Sequence, residues 1–343
     1  MSTVSLPTTS PPDDLRPKPG DWNLRPGISK RWFLLAALVA LLLAFSARRT
    51  ELDRAAVMTA EGAVHIAGIG QEDGVSRGWR LFWSAALPLV LAEKTEVSRI
   101  DGFDPAHLPP NSYLISEPVR EYDVATGKYV EAGVRQYLIE PLGYLTRVCL
   151  LMLKTIEMGL WGTLLAVLIA APLGVLGARG YSPHPVVYTA ARGMCSFSRS
   201  MPELIIAMFF VLLYGFGPIA GVLALGIHSF GFLGKFFADD IENADAGPQE
   251  ALRSTGAGGL KVLRMSVLPQ VLPQYVAYVQ YILERNVRSA SVLGIVGAGG
   301  IGMELKGRWD MSNFGHVTTI LLVVFATVLT LEFLTQRIRK RLM

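Results

Sequence analysis

Glu284, Arg285, Asn286, Arg288 and Ser291 bring charge and hydrogen-bonding capacity into a stretch that is otherwise apolar. Gln280, Glu284, Arg288 and Ser291 follow helical spacing and so share one face, and Glu284 precedes Arg288 in the i to i+4 order that favours an ion pair. Arg285 and Asn286 make a second polar face. A charge at the centre of a bilayer costs about 2.5–3.5 kcal/mol on insertion scales, so such groups pair with one another or line a polar path. Two readings follow. Either Arg285 or Arg288 supplies positive potential to an anionic solute whose oxygens match the guanidinium fork, or Glu284, Arg285, Arg288 and Glu157 pair internally and only hold helices together. Lys154, Thr155 and Glu157 pose the same choice on an earlier apolar stretch, where Thr155 can bond its own helix backbone and Lys154 can snorkel.

Membrane elements must position these side chains, and the composition supplies them. A chain of 343 residues that is 51% hydrophobic and 17% charged carries more apolar surface than one globular core hides, which points to an integral membrane protein. The formal charge of +4 does not mark a nucleic-acid binder, because the basic residues sit beside apolar runs as the positive-inside bias places them. Cys149 and Cys195 are isolated, the five histidines lack metal-ligand spacing, and no nucleophile has a nearby base, so no metal site and no catalytic centre is expected. Gly297-Ala-Gly299-Gly300-Ile-Gly302 satisfies the dinucleotide pattern but follows a long apolar run rather than a short strand. Gly297, Gly299, Gly300 and Gly302 read instead as a tight turn at the outer end of a span, a candidate gate. Gly231–Phe236 lacks the spacing of a phosphate-binding loop, so ATP is not expected on this chain.

Taken in order, residues 1–28 are Pro-, Ser- and Thr-rich and read as a disordered cytoplasmic tail, and 29–48 as a first transmembrane helix. Residues 49–143 mix both charges and read as an extracytoplasmic segment. Within it, Leu81–Ala92 suits an interfacial helix with Trp79, Arg80 and Trp83 at the headgroups, and Arg120–Val124 with Lys128–Ala132 suits a small hairpin turning at Gly127. Residues 144–343 hold five more spans: about Val148–Leu176, Pro202–Phe216, Pro218–Phe236, Val271–Val296 and Val317–Leu334. Six spans put both termini on one side. The basic residues of the terminal segments and of the two intervening loops, among them Arg179, Arg192, Arg199, Arg253, Lys261 and Arg264, make that side cytoplasmic. Ser200 and Glu203 read as a capping box starting the third span, and Gly159, Gly162, Gly294 and Gly297 as points of close helix approach.

Between the fourth and fifth spans lies a polar loop, 240–269. Gly247 and Pro248 suit the N-cap and first position of a short helix, Glu250 its third, and Gly256 its end; a second short helix, Gly259–Met265, leads to Leu268 and Pro269. Leu252, Leu260 and Leu263 are apolar knobs for a partner's groove.

Glu250-Ala251, Gly256 and Leu268-Pro269 resemble the EAA loop of ABC-importer permeases; Leu252 replaces the common second alanine and Ser266 the usual aliphatic residue. The resemblance implies that Glu250, Ala251, Leu252, Gly256, Ala257, Leu268 and Pro269 couple the chain to an ATPase subunit. From about Leu153 onward the chain is similar to phosphonate-uptake permeases, through Gly162–Ala166, Arg199–Glu203, Gly217–Leu225, Leu268–Gln274, Glu284–Arg288 and Val292–Gly302, while about Glu93–Gln136 looks like an insertion. The resemblance implies an all-α integral membrane protein with the six transmembrane helices of the type I ABC importer permease fold and an extracytoplasmic insertion. It implies a multi-pass protein of the inner membrane with both termini cytoplasmic. Its implied partners are ABC ATPase subunits holding ATP and Mg, a solute-binding protein, and a second permease copy in the lipid bilayer, with no nucleic acid and no cofactor on this chain. The implied cargo is phosphonates or related phosphorus oxyanions. The alternatives are an ABC permease for another small solute, or a proton-coupled secondary transporter using Glu157 or Glu284 as a relay.

Overall fold

The computed structural model describes residues 30–66, 74–105, 107–123 and 128–342, so the N-terminal tail and the turn at Gly127 lie outside the described residues. The chain divides into two compact units at Leu81/Phe82. The first holds α1 (Lys30–Arg49), which agrees with the expected first span, and α2 (Leu52–Ile66), which the mixed charges of that stretch concealed. Helix α3 (Gly74–Ala86) crosses the division. It lies earlier than the interfacial helix expected at Leu81–Ala92, because Pro88 has no amide hydrogen to continue a helix.

The second unit begins with a three-stranded antiparallel sheet in the order β1-β3-β2, from β1 (Glu93–Glu96), β2 (Tyr113–Asp123) and β3 (Lys128–Glu140). The small hairpin is therefore the tip of a much longer one, running in register from Tyr113↔Ile139 to Asp123↔Lys128 with a bulge at Val119/Arg120. The alternation was legible only near the turn, because both faces further along carry exposed apolar residues, Ile115 on one and Val134 on the other.

Helices α4 (Gly143–Leu176), α5 (Pro185–Ser200), α6 (Glu203–Tyr214) and α7 (Pro218–Asn243) follow. After them come α8 (Ala246–Ser254), α9 (Gly259–Val262), α10 (Leu268–Leu293), α11 (Ile301–Asp310) and α12 (Phe314–Leu342). Among the described residues four helices are long and apolar enough to cross a membrane: Trp32–Arg49, Gly143–Leu176, Pro218–Asn243 and Phe314–Arg337. A fifth exists if α5 and α6, bent by 91°, count as one broken span. Helix α6 alone has 12 residues, about 18 Å, well short of a hydrocarbon core of about 30 Å. The 26 residues of α10 are long enough, but Glu284, Arg285 and Arg288 lower its apolarity.

Two local expectations are corrected. The stretch 185–200 is a helix rather than a cytoplasmic linker, and no capping box starts α6. Ser200 ends α5 in helical conformation, so its hydroxyl donates back to the Phe197 carbonyl at 2.8 Å. Pro202 holds the N-cap position without a side-chain bond, and Glu203 is drawn instead to Ser289 on α10.

Small residues let the bundle close. A Cβ at Gly159 of α4 would lie 2.7 Å from Val287 Cγ2 and 3.0 Å from the Val287 backbone nitrogen, so only glycine lets α4 and α10 meet there. Met158, Ile206, Ala207, Ala224, Leu225, Ala290 and Leu293 form one buried cluster that joins α4, α6, α7 and α10. Ala166, Ala170, Phe230, Leu233, Phe237 and Ile282 form a second.

Candidate functional site: a broken helix and an exposed short helix

Helix α5 packs along the C-terminal half of α7. Ser198 Oγ donates to the Ile227 carbonyl, and Arg192 Nη1 lies 2.8 Å from Asp239 Oδ1. A Cβ at Gly231 would stand 2.6 Å from the Cys195 carbonyl and 2.9 Å from the Arg199 backbone nitrogen. This packing carries the chain to the level of His228, ten residues or about 15 Å into α7, and there it turns sharply into α6.

Around the turn a polar cluster forms in an apolar setting. His228 Nδ1 is 3.0 Å from the Met201 carbonyl and Nε2 is 2.6 Å from Arg285 Nη2. A guanidinium only donates and a carbonyl only accepts, so Nδ1 carries the proton, Nε2 accepts, and the imidazole is neutral. Ser289 Oγ donates to Glu203 Oε1 at 2.8 Å, while Glu203 Oε2 lies 3.9 Å from His228 Nε2 with no hydrogen-bond partner. The guanidinium carbons of Arg285 and Arg199 stand 4.5 and 5.5 Å from the Phe232 ring centroid.

The expected path residues separate into distinct environments. Asn286, 1% exposed, accepts from Ser229 Oγ at 2.7 Å and donates to Thr163 Oγ1 at 2.9 Å, tying α10 to α7 and α4. Ser291 bonds its own helix at the Val287 carbonyl. Thr155 donates to the Leu151 carbonyl at 2.9 Å and accepts from the Ile301 backbone amide at 2.9 Å. Glu284 and Arg288 form the i to i+4 pair at 3.2 Å, with the Arg288 side chain 51% exposed. Arg285 pairs with a histidine rather than with Glu284 or Glu157; Glu157 and Lys154 are exposed and form no ion pair among the described residues. Arg199, Glu203, Phe232 and Ser289 were not singled out from the sequence as site residues, although Arg199 and Glu203 open and close the segment Arg199–Glu203 that carries the family resemblance.

At the other end of α10, a single 3₁₀ turn (Gly294–Val296) gives way to a true turn in which Gly297, Gly299 and Gly300 have φ of +94°, +84° and +69°. Gly302 lies instead in the first turn of α11, packed tightly against the Ser291 carbonyl. The Gly297 carbonyl accepts from the Gly217 amide at 3.0 Å, linking this turn to the start of α7.

Between α7 and α10 the short helix α8 stands out from the bundle, with Glu250 and Ala251 exposed. Its N-cap is Asp245, whose Oδ1 accepts from the Gly247 amide at 3.0 Å, and not Gly247; an aspartate two residues earlier competes better for the free amides. The helix ends as expected, with Gly256 at φ +80°. The second short helix is only α9, and a π-helical stretch, Leu263–Val267, then joins it to α10 without a break. Pro269 has no amide hydrogen to offer the Met265 carbonyl, and the wider turn, with Leu268 N bonded to the Leu263 carbonyl, accommodates that loss. Leu260 is 80% exposed and Leu252 half-buried, but Leu263 is buried against Ala178, Ile241, Val267 and Val271 and is no outward knob.

Two polar side chains, Gln270 and Gln249, fasten α8 to the bundle. Gln270 accepts from the Asp245 amide at 3.0 Å and donates to the Ser266 carbonyl at 2.9 Å. Gln249 donates to the Ala244 and Asp245 carbonyls and accepts from Tyr181, on the α4–α5 connection, at 2.9 Å. Arg192 of α5 completes the frame, bonding the Gly177 carbonyl and pairing with Asp239 and Glu242.

Residues 170–343 fit the model of the binding-protein-dependent transport system inner membrane component. The chain belongs to this family. This permease is 49% identical over 263 residues, 74% of its length and 99% of the relative's, to the putative phosphite transport system permease protein HtxE of Stutzerimonas stutzeri. It is 43% identical over 197 residues to the phosphate-import permease protein PhnE of Mycolicibacterium smegmatis, covering 57% of this chain and 37% of that one. Its fold is that of the MetNI methionine ABC transporter in an inward-facing conformation, with a TM-score of 0.50 at 23% identity over 56% of this permease and 94% of that chain. The permease is thus a multi-pass membrane protein that conducts rather than catalyses.

Proposed function

We propose that this permease is the membrane subunit of an ATP-driven importer for phosphonates, phosphite or a related phosphorus oxyanion. The observation that carries the coupling half of this reading is α8, exposed and fastened to α10 by Gln270 and to the α4–α5 connection by Tyr181. Glu250, Ala251, Leu252, Gly256, Ala257, Leu268 and Pro269 form the segment that docks on an ATPase subunit holding ATP and Mg. A solute-binding protein docks on the opposite side, where the sheet and the turn Gly297–Gly300 lie. The cargo half is supported by the similarity to the HtxE permease across nearly all of that chain. Both termini face the cytoplasm, as the basic residues of the chain ends and Arg253, Lys261 and Arg264 of the loop 240–269 favour. A second permease copy covers the face bearing Lys154, Glu157 and Arg288, since lipid is a poor neighbour for exposed charges within spans.

The test is reconstitution with the cognate ATPase and binding protein, followed by ATP-dependent uptake of phosphonate, phosphite, phosphate and methionine. Uptake of a phosphorus oxyanion only with ATP is expected; uptake driven by a proton gradient without ATPase, or transport of none of the phosphorus compounds, refutes it. In the same assay Glu250→Ala and Gly256→Leu uncouple hydrolysis from transport or weaken assembly, while solute affinity of the binding protein stays unchanged.

A further inference from the structure

The bend between α5 and α6 holds donors that the bundle leaves unused. The Arg199 side chain makes no hydrogen bond or ion pair among the described residues, and its described contact is the Phe232 ring. Arg285 has five N–H donors and uses one contact, to His228. Both residues, and Phe232 between them, are half-buried rather than sealed. Glu203 Oε2 is a buried acceptor with no donor. With His228 neutral, two guanidinium groups stand against one carboxylate, so the cluster keeps a positive charge in excess.

Its position matters as much as its charge. The bend sits at mid-height of α7, and non-helical backbone at membrane depth is tolerated only where it is buried in protein or lines a cavity. Discontinuous helices at the bilayer midplane are a recurrent way to build solute sites. Arg288 is a weaker candidate, because Glu284 already neutralises it at 3.2 Å.

We propose that this bend is the membrane solute site: Arg199 and Arg285 take the charged oxygens of a phosphorus oxyanion, and Glu203 Oε2 accepts a hydrogen bond from its P–OH group. The proposal rests on the importer reading above. It makes Glu203 the selecting residue, since a monoprotonated phosphonate or phosphite offers that hydroxyl and sulfate at neutral pH does not. Guanidinium groups shared with an aromatic face rather than locked in ion pairs also fit a site that must release its cargo.

The test uses the whole complex, with its ATPase and binding protein, in proteoliposomes. R199Q and R285Q are each expected to lower phosphite uptake by about tenfold or more, the loss of a charge-assisted bond, while ATP hydrolysis stimulated by the loaded binding protein persists. Phosphorus-31 line broadening of free phosphite by the nanodisc-held complex without binding protein is expected with wild type and lost in both variants. Added sulfate should compete poorly for that broadening with wild type and better with E203Q. Wild-type uptake and wild-type broadening by both glutamine variants overturn the proposal. Should the glutamine variants fail to assemble, R199K and R285K decide it. They keep the charge but lose the fork, so a raised half-saturating phosphite concentration supports the site and an unchanged one overturns it. A wild-type complex that carries another solute but no phosphorus oxyanion refutes the importer reading, a result distinct from normal phosphite transport by the variants.

Discussion

Replacing Gln270 by alanine tests whether α8 and α10 move as one. The wild-type side chain bridges them, accepting from Asp245 N at 3.0 Å, while its own amide is held by the Ser266 carbonyl one turn back at 2.9 Å. A hydrogen bond contributes about 0.5–1.5 kcal/mol net, so losing the one that crosses removes about that much from the docking of α8 against the start of α10. The bond is at an exposed amide that water can satisfy, which places it at the low end. If that docking energy couples the two elements, the coupling constant falls by about 2- to 10-fold. The assay is solute carried per ATP hydrolysed in proteoliposomes containing the complete complex. Gln270→Ala is expected to lower this ratio while hydrolysis continues. Gln274→Ala is the control, since Gln274 is exposed, lies one turn further on, and makes no hydrogen bond among the described residues. Equal ratios for the two variants would refute the link between Gln270 and coupling.

Other perturbations follow from the same contacts. Asn286→Ala removes the bonds to Ser229 and Thr163; at about 0.6 kcal/mol on average and up to 1.7 per interhelical bond in a membrane, it should destabilise the bundle by about 1–3 kcal/mol in a denaturing-detergent titration. Gly231→Ala sets a methyl 2.6 Å from the Cys195 carbonyl, which is backbone and cannot step aside, so α5 should separate from α7 at a cost of about 1–3 kcal/mol. Proteolysis within 185–200 reports that separation, and wild-type resistance would contradict it. Tyr181→Phe loses one bond to Gln249, whose amide stays oriented by the Ala244 and Asp245 carbonyls, so transport per ATP should fall less than in Gln270→Ala.

What the sequence showed depended on whether a signal was local. The long apolar helices α4, α7 and α12 were legible because composition alone fixes them, and the end of α8 because Gly256 marks it. The N-cap of α8 was misplaced by two residues, since Gly247-Pro248 mimics a helix start while Asp245 makes the actual bond. Helix α5 was concealed by its own composition: Arg192, Ser196, Ser198, Arg199 and Ser200 read as a polar linker, and the contacts of Gly231, Ser198 and Arg192 between α5 and α7 draw it into the bundle. Of the charged residues, Glu284 and Arg288 were legible as a pair because both partners lie on one helix. Arg285 finds His228, and Glu203 finds Ser289, across gaps of 57 and 86 residues, which no periodicity encodes.

Those two long-range contacts join α10 to α7 and to α6. Gln270 and Arg285 lie on one helix, 15 residues or about 22 Å apart, with Pro273 near its start and no break beyond it. A shift of α8 that α10 follows is therefore delivered at the level of Arg285 and Ser289. Helix α5 has its own anchorage: Arg192 pins it to Asp239 and Glu242 of α7, and Gly231 and Gly234 seat Cys195 against the same helix. Arg199 and Glu203 consequently travel with α7, while Arg285 and Ser289 travel with α10. The Ser289–Glu203, Arg285–His228 and Asn286–Ser229 bonds all cross between these two sides, so relative movement has to strain or exchange them together without unfolding any helix. A bond of 2.6 Å is lost within a displacement of about 1 Å. The polar centre is thus placed where a small motion begun at α8 changes which donors are free.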